Sequence, residues 1–241
     1  MSIPLEPVEV PARVRSLAGT ATVEPVWRNE LGGVTFRTTD GRYIKHGPRT
    51  LETSMAGEAE RLRWARRYTR VPEVLDVGHD DTHEWLVTRA LVGLSAVDAP
   101  WIADPARAVR AVGRGLRALH EALPADECPF DWSVATRVAN ARARGIDVPA
   151  ALLDPPPIDR LVVCHGDACC PNTLVGDDGC CSGHVDLGAL GLGDRWADIA
   201  VAAMSTEWNY GPGWETTLID AYGLDVDPAR MAYYRDLWNA T

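Results

Sequence analysis

Apolar side chains recur with a helical period near the middle of the chain. After Asp104-Pro105, a pair typical of a helix start, they follow at intervals of three and four residues: Val109, Val112, Leu116, Leu119 and Leu123. This period puts them on one face, so we predict an amphipathic core helix. Helical segments are also predicted at 51–64, 194–205, about 213–222 and about 227–238.

Shorter apolar runs bounded by turn residues predict strands. Such runs lie at 27–36, 41–45, 84–90, 161–163 and 173–175. The first of them contains Gly32 and Gly33 and is interpreted as strand, turn, strand. The pattern predicts an α+β chain in two parts. Residues 1–90 form a strand-rich part with one long helix and a last strand that leads into a connector, and residues 91–241 form a mainly helical part.

Composition indicates a folded protein without a membrane segment. Hydrophobic residues make up 46% of the 241 positions, which is typical of a globular chain with a sizeable core. No apolar run approaches the length of a membrane span. The first residues lack the basic and apolar regions of a signal peptide, so we expect a cytoplasmic location.

Negative charge is concentrated in the second part. Residues 1–92 hold 13 basic and 13 acidic residues, and the remainder holds 11 and 21, so the net charge of −10 lies after residue 92. Such a surface repels nucleic acid and anionic membranes and attracts a polycation, which predicts a small cationic partner. The alternative is that the acidity only keeps the protein soluble.

Five of the six cysteines fall between Cys164 and Cys181, with His165 and His184 close by. A zinc-binding regulatory protein is therefore a competing interpretation. Adjacent Cys-Cys pairs project apart, and the common C-x₂-C pairs are absent, which disfavours it. A disulfide is not expected in the cytosol, so we interpret the cysteines as small buried hydrophobes or reactive thiols.

The segment from Cys164 to Asp198 carries the clearest chemical pattern. Asp167 in a His-Gly-Asp run is followed five residues later by Asn172, and then by Asp186 in an Asp-Leu-Gly run. This order and spacing are those of kinase-like phosphoryl transfer, in which protein kinases carry His-Arg-Asp. Asp167 is the expected catalytic base, and Asn172 and Asp186 are the expected Mg²⁺ ligands. Each residue alone could be an ordinary turn residue.

Among 24 basic residues the chain has a single lysine, Lys45. In a kinase-like fold an ammonium on a strand of the small lobe contacts the α- and β-phosphates of ATP, and a glutamate on the next helix fixes it. Glu58 and Glu60 are both candidates, but they are two residues apart, so only one can face Lys45. Chance survival of one lysine is the alternative.

Other nucleotide contacts are expected from backbone groups. Gly32 and Gly33 precede Lys45 by about twelve residues, so their N–H groups are expected to approach the phosphates. A plain hairpin turn is the alternative. The connector after the last strand would offer backbone groups to the adenine edge, and Thr88 and Ala90 are the predicted neighbours.

The chain resembles the aminoglycoside phosphotransferases over about residues 25–238. The resemblance rests on Leu119-His120, Cys128-Pro129-Phe130, Val163–Asn172, His184–Ala200 and the helix ending Glu58–Trp64. In the last segment the family's glutamate lies six residues before the tryptophan, which selects Glu58. The resemblance implies a bilobal, protein-kinase-like fold with a small β-rich N-lobe and a larger helical C-lobe. It also implies ATP- and Mg²⁺-dependent phosphorylation of an aminoglycoside hydroxyl, of the 3′ or 3″ type, giving antibiotic resistance.

The substrate pocket follows the family less closely. The tail retains Asp236 in place of a strongly acidic end and looks more like that of the streptomycin 3″-kinases. The aromatic segment beginning Glu207-Trp208 is expected to wall the pocket, although tryptophan is commonly a core residue. Asp198 is expected near the pocket or, instead, to order the segment behind the metal site. Two alternatives remain: a related kinase of another hydroxyl metabolite or peptide antibiotic, and a non-catalytic nucleotide-binding module.

Overall fold

The computed structural model describes residues 8–51 and 54–241, which fall into two compact units. The first unit comprises Met1–Arg66 and Pro72–Ala90, and the second comprises Arg67–Val71 and Leu91–Thr241. The short segment after the first unit's long helix therefore belongs with the second unit. Among the described residues, no helix has both the length and the apolar character needed to cross a membrane.

A five-stranded antiparallel sheet forms the centre of the first unit. Its strands are β1 (Val23–Arg28), β2 (Val34–Thr38), β3 (Arg42–Pro48), β4 (Val74–His79) and β5 (His83–Arg89), in the order β1-β2-β3-β5-β4. A helix that the sequence pattern did not predict, α1 (Ala12–Ala18), contributes Val14 and Ala18 to a core with Phe36 and Ile44 of the sheet. Because side chains alternate along a strand, Lys45 points to the face opposite that of Ile44.

The long helix of this unit, α2 (Met55–Ala65), begins later than the sequence pattern predicted. The Ser54 hydroxyl accepts a hydrogen bond from the Gly57 amide, which is N-cap chemistry and fixes the first turn. Leu51, predicted to be helical, lies outside the helix and is 88% exposed. Residues 52 and 53 of the predicted helix lie outside the described residues. Because Ser54 is a good N-cap, the helix begins at Met55 and not at Leu51.

The second unit is mainly helical. Its helices are α3 (Ala99–Ile102), α4 (Pro105–Ala122), α5 (Val134–Ala143), α6 (Trp196–Tyr210), α7 (Glu215–Tyr222) and α8 (Pro228–Ala240). Its strands are β6 (Leu94–Ser95), β7 (Leu161–Cys164), β8 (Thr173–Val175), β9 (Cys181–His184) and β10 (Gly191–Asp194). Asp104 caps α4, and its predicted apolar positions are all at most 3% exposed, so the predicted core helix is confirmed.

Two small antiparallel sheets position the segment of chemical interest. β7 pairs with β10, and β8 pairs with both β6 and β9. The His-Gly-Asp loop therefore runs from the end of β7 to a short 3₁₀ helix, Cys170–Asn172, which leads directly into β8. The Asp-Leu-Gly segment follows β9. Helix α6 then begins just after β10 and packs against α7 and α8.

Candidate active site

Asp167 and Asn172 are joined by two hydrogen bonds within the loop between β7 and β8. The Asn172 side-chain amide donates to the Asp167 carbonyl oxygen at 2.9 Å and to carboxylate Oδ2 at 3.0 Å. The other carboxylate oxygen, Oδ1, is shielded from water and has no hydrogen-bond partner within the described chain. A buried acceptor without a donor is costly, so Oδ1 would gain from a donor, although in this conformation it is closed to solvent.

Gly166 connects this loop to the Asp-Leu-Gly segment by close backbone packing. Its φ of 85° is in the left-handed region, and a Cβ atom there would lie 2.2 Å from the carbonyl oxygen of Ala189. Only glycine satisfies both conditions. The position of Asp167 is therefore fixed relative to the residues that follow Asp186.

The carboxylate of Asp198, on α6, binds the start of the loop between β7 and β8. It accepts hydrogen bonds from the amides of His165 and Gly166, the latter at 3.0 Å, and from His120 Nε2 at 2.9 Å. Burial raises its pKa, but the hydrogen bond and charge of His120 outweigh that effect and hold the pKa below its usual value. The side chain is only 1% exposed. Its expected contact with substrate does not fit this burial, and its geometry supports the expected ordering role.

Asp186 lies beside Asn172. The Val185 amide donates to the Asn172 carbonyl at 3.0 Å, which continues the pairing of β8 with β9. Among the described residues Asp186 is the sole non-glycine with a positive φ, 61°. Such backbone strain concentrates at functional sites, where it aims a side chain in a direction that regular structure does not offer.

The pair Asn172 and Asp186 fits a hard divalent cation. Because the amide nitrogen of Asn172 is occupied by Asp167, its amide oxygen is left as the coordinating atom, and no donor in the described chain bonds to it. Mg²⁺ prefers one or two protein oxygens of this kind and takes its remaining ligands from water and phosphates. Among residues 8–51 and 54–241, no three His, Cys, Asp or Glu side chains come together as a metal-ligand set.

In the first unit, Lys45 forms an ion pair with Glu58. The ammonium donates to both carboxylate oxygens, at 2.7 and 2.9 Å. Glu58 is buried on α2, whereas Glu60 is exposed, so the structure places the expected partner and not its neighbour beside the lysine. The two hydrogen bonds from Glu58 therefore fix the position of the Lys45 ammonium at the surface of the sheet.

The predicted backbone contacts to a nucleotide are only partly compatible with the hydrogen bonding observed. The Gly33 amide donates to Asn29 Oδ1 at 2.7 Å, so in this conformation it stabilises the turn, while Gly32 supplies the turn's positive φ. The Ala90 amide donates to the Gly41 carbonyl at 2.9 Å, and Thr88 lies between two paired strands, opposite Tyr43 and Val74. The Ala90 amide is therefore engaged in this conformation, and the contacts of Thr88 and Ala90 with the adenine edge stay a prediction.

The residues expected to bind substrate differ in their placement. Glu207 and Trp208 lie exposed near the end of α6, where Trp208 is 58% exposed. Asp236 is exposed on α8. Trp238 of α8 instead packs against a buried cluster of Cys169, Val201 and Met204, of which Cys169 lies two residues beyond Asp167. Asp236 is about 200° around the helix from Trp238 and so points away from this contact.

The clustered cysteines are mostly packing residues. Cys164, Cys169 and Cys170 are buried, and burial raises the pKa of each thiol, so they remain neutral. Cys181 lies 3.5 Å from His184 Nε2, and burial raises the pKa of its thiol to about 11. Cys180 is exposed.

Two residues of the site were not predicted from the sequence. Trp238 belongs to an aromatic C-terminal segment, and the sequence alone does not indicate what its side chains pack against. Tyr222 donates or accepts a 2.8 Å hydrogen bond with His120 Nδ1, at the far side of His120 from Asp198. His120 is buried, and both of its ring nitrogens form hydrogen bonds. Because Tyr222 is 102 positions away from His120 in the sequence, no local pattern indicated their contact.

Known proteins resemble this chain throughout most of its length. Residues 23–234 match the family model described as the phosphotransferase enzyme family, APH. The aminoglycoside 3′-phosphotransferase of Streptomyces fradiae is 38% identical over 225 residues, which cover 80% of this chain and 83% of that protein. The streptomycin 3″-kinase of Streptomyces griseus is 33% identical, with 88% and 89% covered.

Solved structures show the same likeness. The aminoglycoside phosphotransferase APH(3″)-Id of Streptomyces rimosus, in complex with ADP and streptomycin, is 26% identical. It superimposes with a TM-score of 0.70 and covers 93% of this chain and 94% of that one. The predicted α+β, protein-kinase-like fold class is thereby confirmed.

Proposed function

The chain belongs to the aminoglycoside phosphotransferase family of phosphotransferase enzymes, and from this membership we propose that it transfers the γ-phosphate of ATP to a 3′ or 3″ hydroxyl of an aminoglycoside. The observation that carries the proposal is the arrangement of Asp167, Asn172 and Asp186. One oxygen of Asp167 is left without a hydrogen-bond partner, Asn172 binds the other, and the residue before Asp186 pairs with Asn172.

In the proposed reaction, Asp167 orients the acceptor hydroxyl. The hydroxyl donates its hydrogen bond to Oδ1, while Asn172 holds Oδ2 and so fixes the plane of the carboxylate. The hydroxyl oxygen attacks the γ-phosphorus, the bond from phosphorus to the bridging oxygen of ADP breaks, and the hydroxyl proton passes to Asp167. Positioning and charge stabilisation supply most of the rate enhancement in this chemistry.

The remaining charged residues bind the nucleotide in this proposal. Asn172 and Asp186 would hold Mg²⁺, which neutralises phosphate charge when bound. Lys45, fixed by Glu58, would contact the α- and β-phosphates. Gly32 and Gly33 would cover the phosphates once the Gly33 amide exchanges its bond to Asn29 for one to phosphate. Reliance on ATP agrees with the cytoplasmic location expected from the sequence.

The substrate class follows from relatives and from charge. The Streptomyces relatives are named for phosphorylation of aminoglycosides at 3′ and of streptomycin at 3″. Aminoglycosides are polycations, and this chain's acidic residues lie in excess after residue 92. Glu207, Trp208 and Trp238 are the side chains of the second unit that we propose face the drug, because they are exposed or beside the Asp167 loop.

A substrate panel tests the proposal. Purified protein is incubated with Mg²⁺ and ATP and with streptomycin, neomycin, kanamycin, hygromycin or a capreomycin-type peptide, and ADP release is followed. We expect turnover with streptomycin or a neomycin-class drug, and NMR of the product would identify the phosphorylated hydroxyl. Turnover only with a compound outside the aminoglycosides, or none with any, would contradict the proposed substrate.

A further inference from the structure

The catalytic loop is bound at both ends by the same helix. Two of the buried polar side chains of α6, Asp198 and Ser205, bind the loop and are 1% and 0% exposed. Seven residues correspond to nearly two helical turns, so both lie on the same face of α6, about 10 Å apart along its axis. Asp198 binds the start of the loop, as described above.

Ser205 binds the other end of the loop. Its hydroxyl oxygen accepts a hydrogen bond from the Cys170 amide at 2.8 Å. The Asn209 side chain, one turn further along α6, donates to the same hydroxyl at 3.1 Å and to the Ser205 carbonyl at 2.7 Å. Asn209 thus restrains the side chain that receives the loop.

This bond lies at the junction between the catalytic loop and the proposed metal ligand. Cys170 begins the 3₁₀ helix Cys170–Asn172, and the first amide of such a turn has no partner inside it. Ser205 supplies that partner, and Ser95 Oγ donates to the neighbouring Pro171 carbonyl at 2.9 Å. Asn172 in turn holds Asp167.

We propose that Ser205 is a positioning residue of the phosphoryl transfer: by binding the Cys170 amide it fixes the separation between Asp167 and Asn172. The inference rests on the proposed function for its kinetic consequences. Ser205 contacts neither substrate nor nucleotide in this account and acts only through the loop. Displacement of reacting groups by about 1 Å can lower a rate about 100-fold.

The test compares Ser205→Ala with Thr206→Val. Thr206 is the next residue on α6, is equally buried, and donates to the Ala203 carbonyl without touching the loop. We expect Ser205→Ala to lower kcat by about 10- to 100-fold while the KM for ATP changes by less than about 3-fold. Ser205→Thr, which keeps the hydroxyl, should restore most of the rate, and Thr206→Val should resemble wild type.

A second readout does not depend on activity. In the nucleotide-free protein, hydrogen exchange at the Cys170 amide, measured by NMR, should be slow in wild type and Thr206→Val and fast in Ser205→Ala. Binding of Mn²⁺ together with a non-hydrolysable ATP analogue, followed by electron paramagnetic resonance, should stay within about 3-fold of wild type in Ser205→Ala, in line with the nearly unchanged KM for ATP, because Ser205 contacts neither metal nor nucleotide.

Several outcomes would overturn the inference. These are wild-type kcat in Ser205→Ala, an equal loss of kcat in Thr206→Val, or a Cys170 amide that stays protected in Ser205→Ala. If wild-type protein phosphorylates no aminoglycoside, the proposed function fails instead, and amide exchange still decides the role of Ser205.

Discussion

The side-chain amide of Asn172 donates to both the carbonyl and the carboxylate of Asp167, so the proposed metal ligand and the proposed base are held as one unit. The amide oxygen of Asn172 is thereby left for the proposed cation. A change at Asn172 should therefore affect two functions together: the affinity for Mg²⁺ and the orientation of the base.

Replacing Asn172 with alanine tests this coupling. We expect the Mg²⁺ concentration that gives half-maximal rate to rise about 10-fold or more, since a ligand oxygen is lost, and kcat to fall because Asp167 is released. The measurement is a Mg²⁺ titration of the rate at saturating ATP. Asn140→Ala, at an exposed position of α5, is the control. An unchanged Mg²⁺ requirement would remove Asn172 from the metal site.

The ion pair between Lys45 and Glu58 gives a prediction for the nucleotide. Lys45→Ala should lower kcat/KM for ATP about 100-fold, because a fixed positive charge that stabilises the phosphates is lost. Glu58→Gln should give a smaller loss, since the amide cannot fix the ammonium by charge. Steady-state kinetics with ATP as the varied substrate measure both effects. The exposed Glu60→Gln should behave like wild type, and equal losses in the two glutamine variants would contradict the pairing.

Gly166 should be intolerant of any side chain. Gly166→Ala places a Cβ against the Ala189 carbonyl at a left-handed φ, and we expect the free energy of unfolding to fall by about 2–5 kcal/mol. Urea denaturation measures it. Gly145→Ala is the matched control, because Gly145 has a φ of 80° but open space around it. It should lose only about 1 kcal/mol. Similar losses at both positions would mean that the contact with Ala189 does not matter.

Buried His184 should make the metal-free protein sensitive to acid. Burial, the nearby His165 and other charges lower the pKa of His184 to about 3. In the unfolded chain it takes up a proton below about pH 6.5, whereas in the folded chain it does not, so stability decreases as pH falls between these values. This contribution is about 1.4 kcal/mol for each pH unit.

Urea unfolding of the metal-free protein at pH 7, 6, 5 and 4 measures this slope. His184→Gln should make the dependence on pH shallower by about the amount of that single proton. His79→Gln, at an exposed position of β4, should leave the slope as in wild type. A slope unaffected by His184→Gln would show that the histidine is not neutral in the fold.

The residues proposed to carry the chemistry stand out in the sequence because most of them lie within one run and each supplies a particular functional group. Asp167, Asn172 and Asp186 are separated by short, fixed intervals, and Lys45 is conspicuous as the chain's single lysine. The structure brings Asn172 beside both Asp167 and Asp186, and places Lys45 on Glu58.

The supporting residues could not be predicted because their partners are distant in sequence. Ser205 reaches an amide 35 positions away, and Tyr222 reaches His120 across 102 positions. The hydrogen bond of the Ala90 amide could not be predicted for a related reason. Which backbone amides remain free to bind a ligand depends on strand register, and the Ala90 amide donates to the Gly41 carbonyl. Side-chain identity carries no information about this choice.

The most direct test of the account is the rate of phosphate transfer from labelled ATP to the preferred aminoglycoside by Asp167→Asn. Asparagine keeps the shape of the side chain but cannot take up the hydroxyl proton, so we predict a fall in kcat of about 10²- to 10⁴-fold with the affinity for ATP nearly unchanged. The exposed Asp177→Asn should retain wild-type activity. A kcat close to wild type in Asp167→Asn would contradict the assignment of Asp167 as the base and, with it, the proposed mechanism.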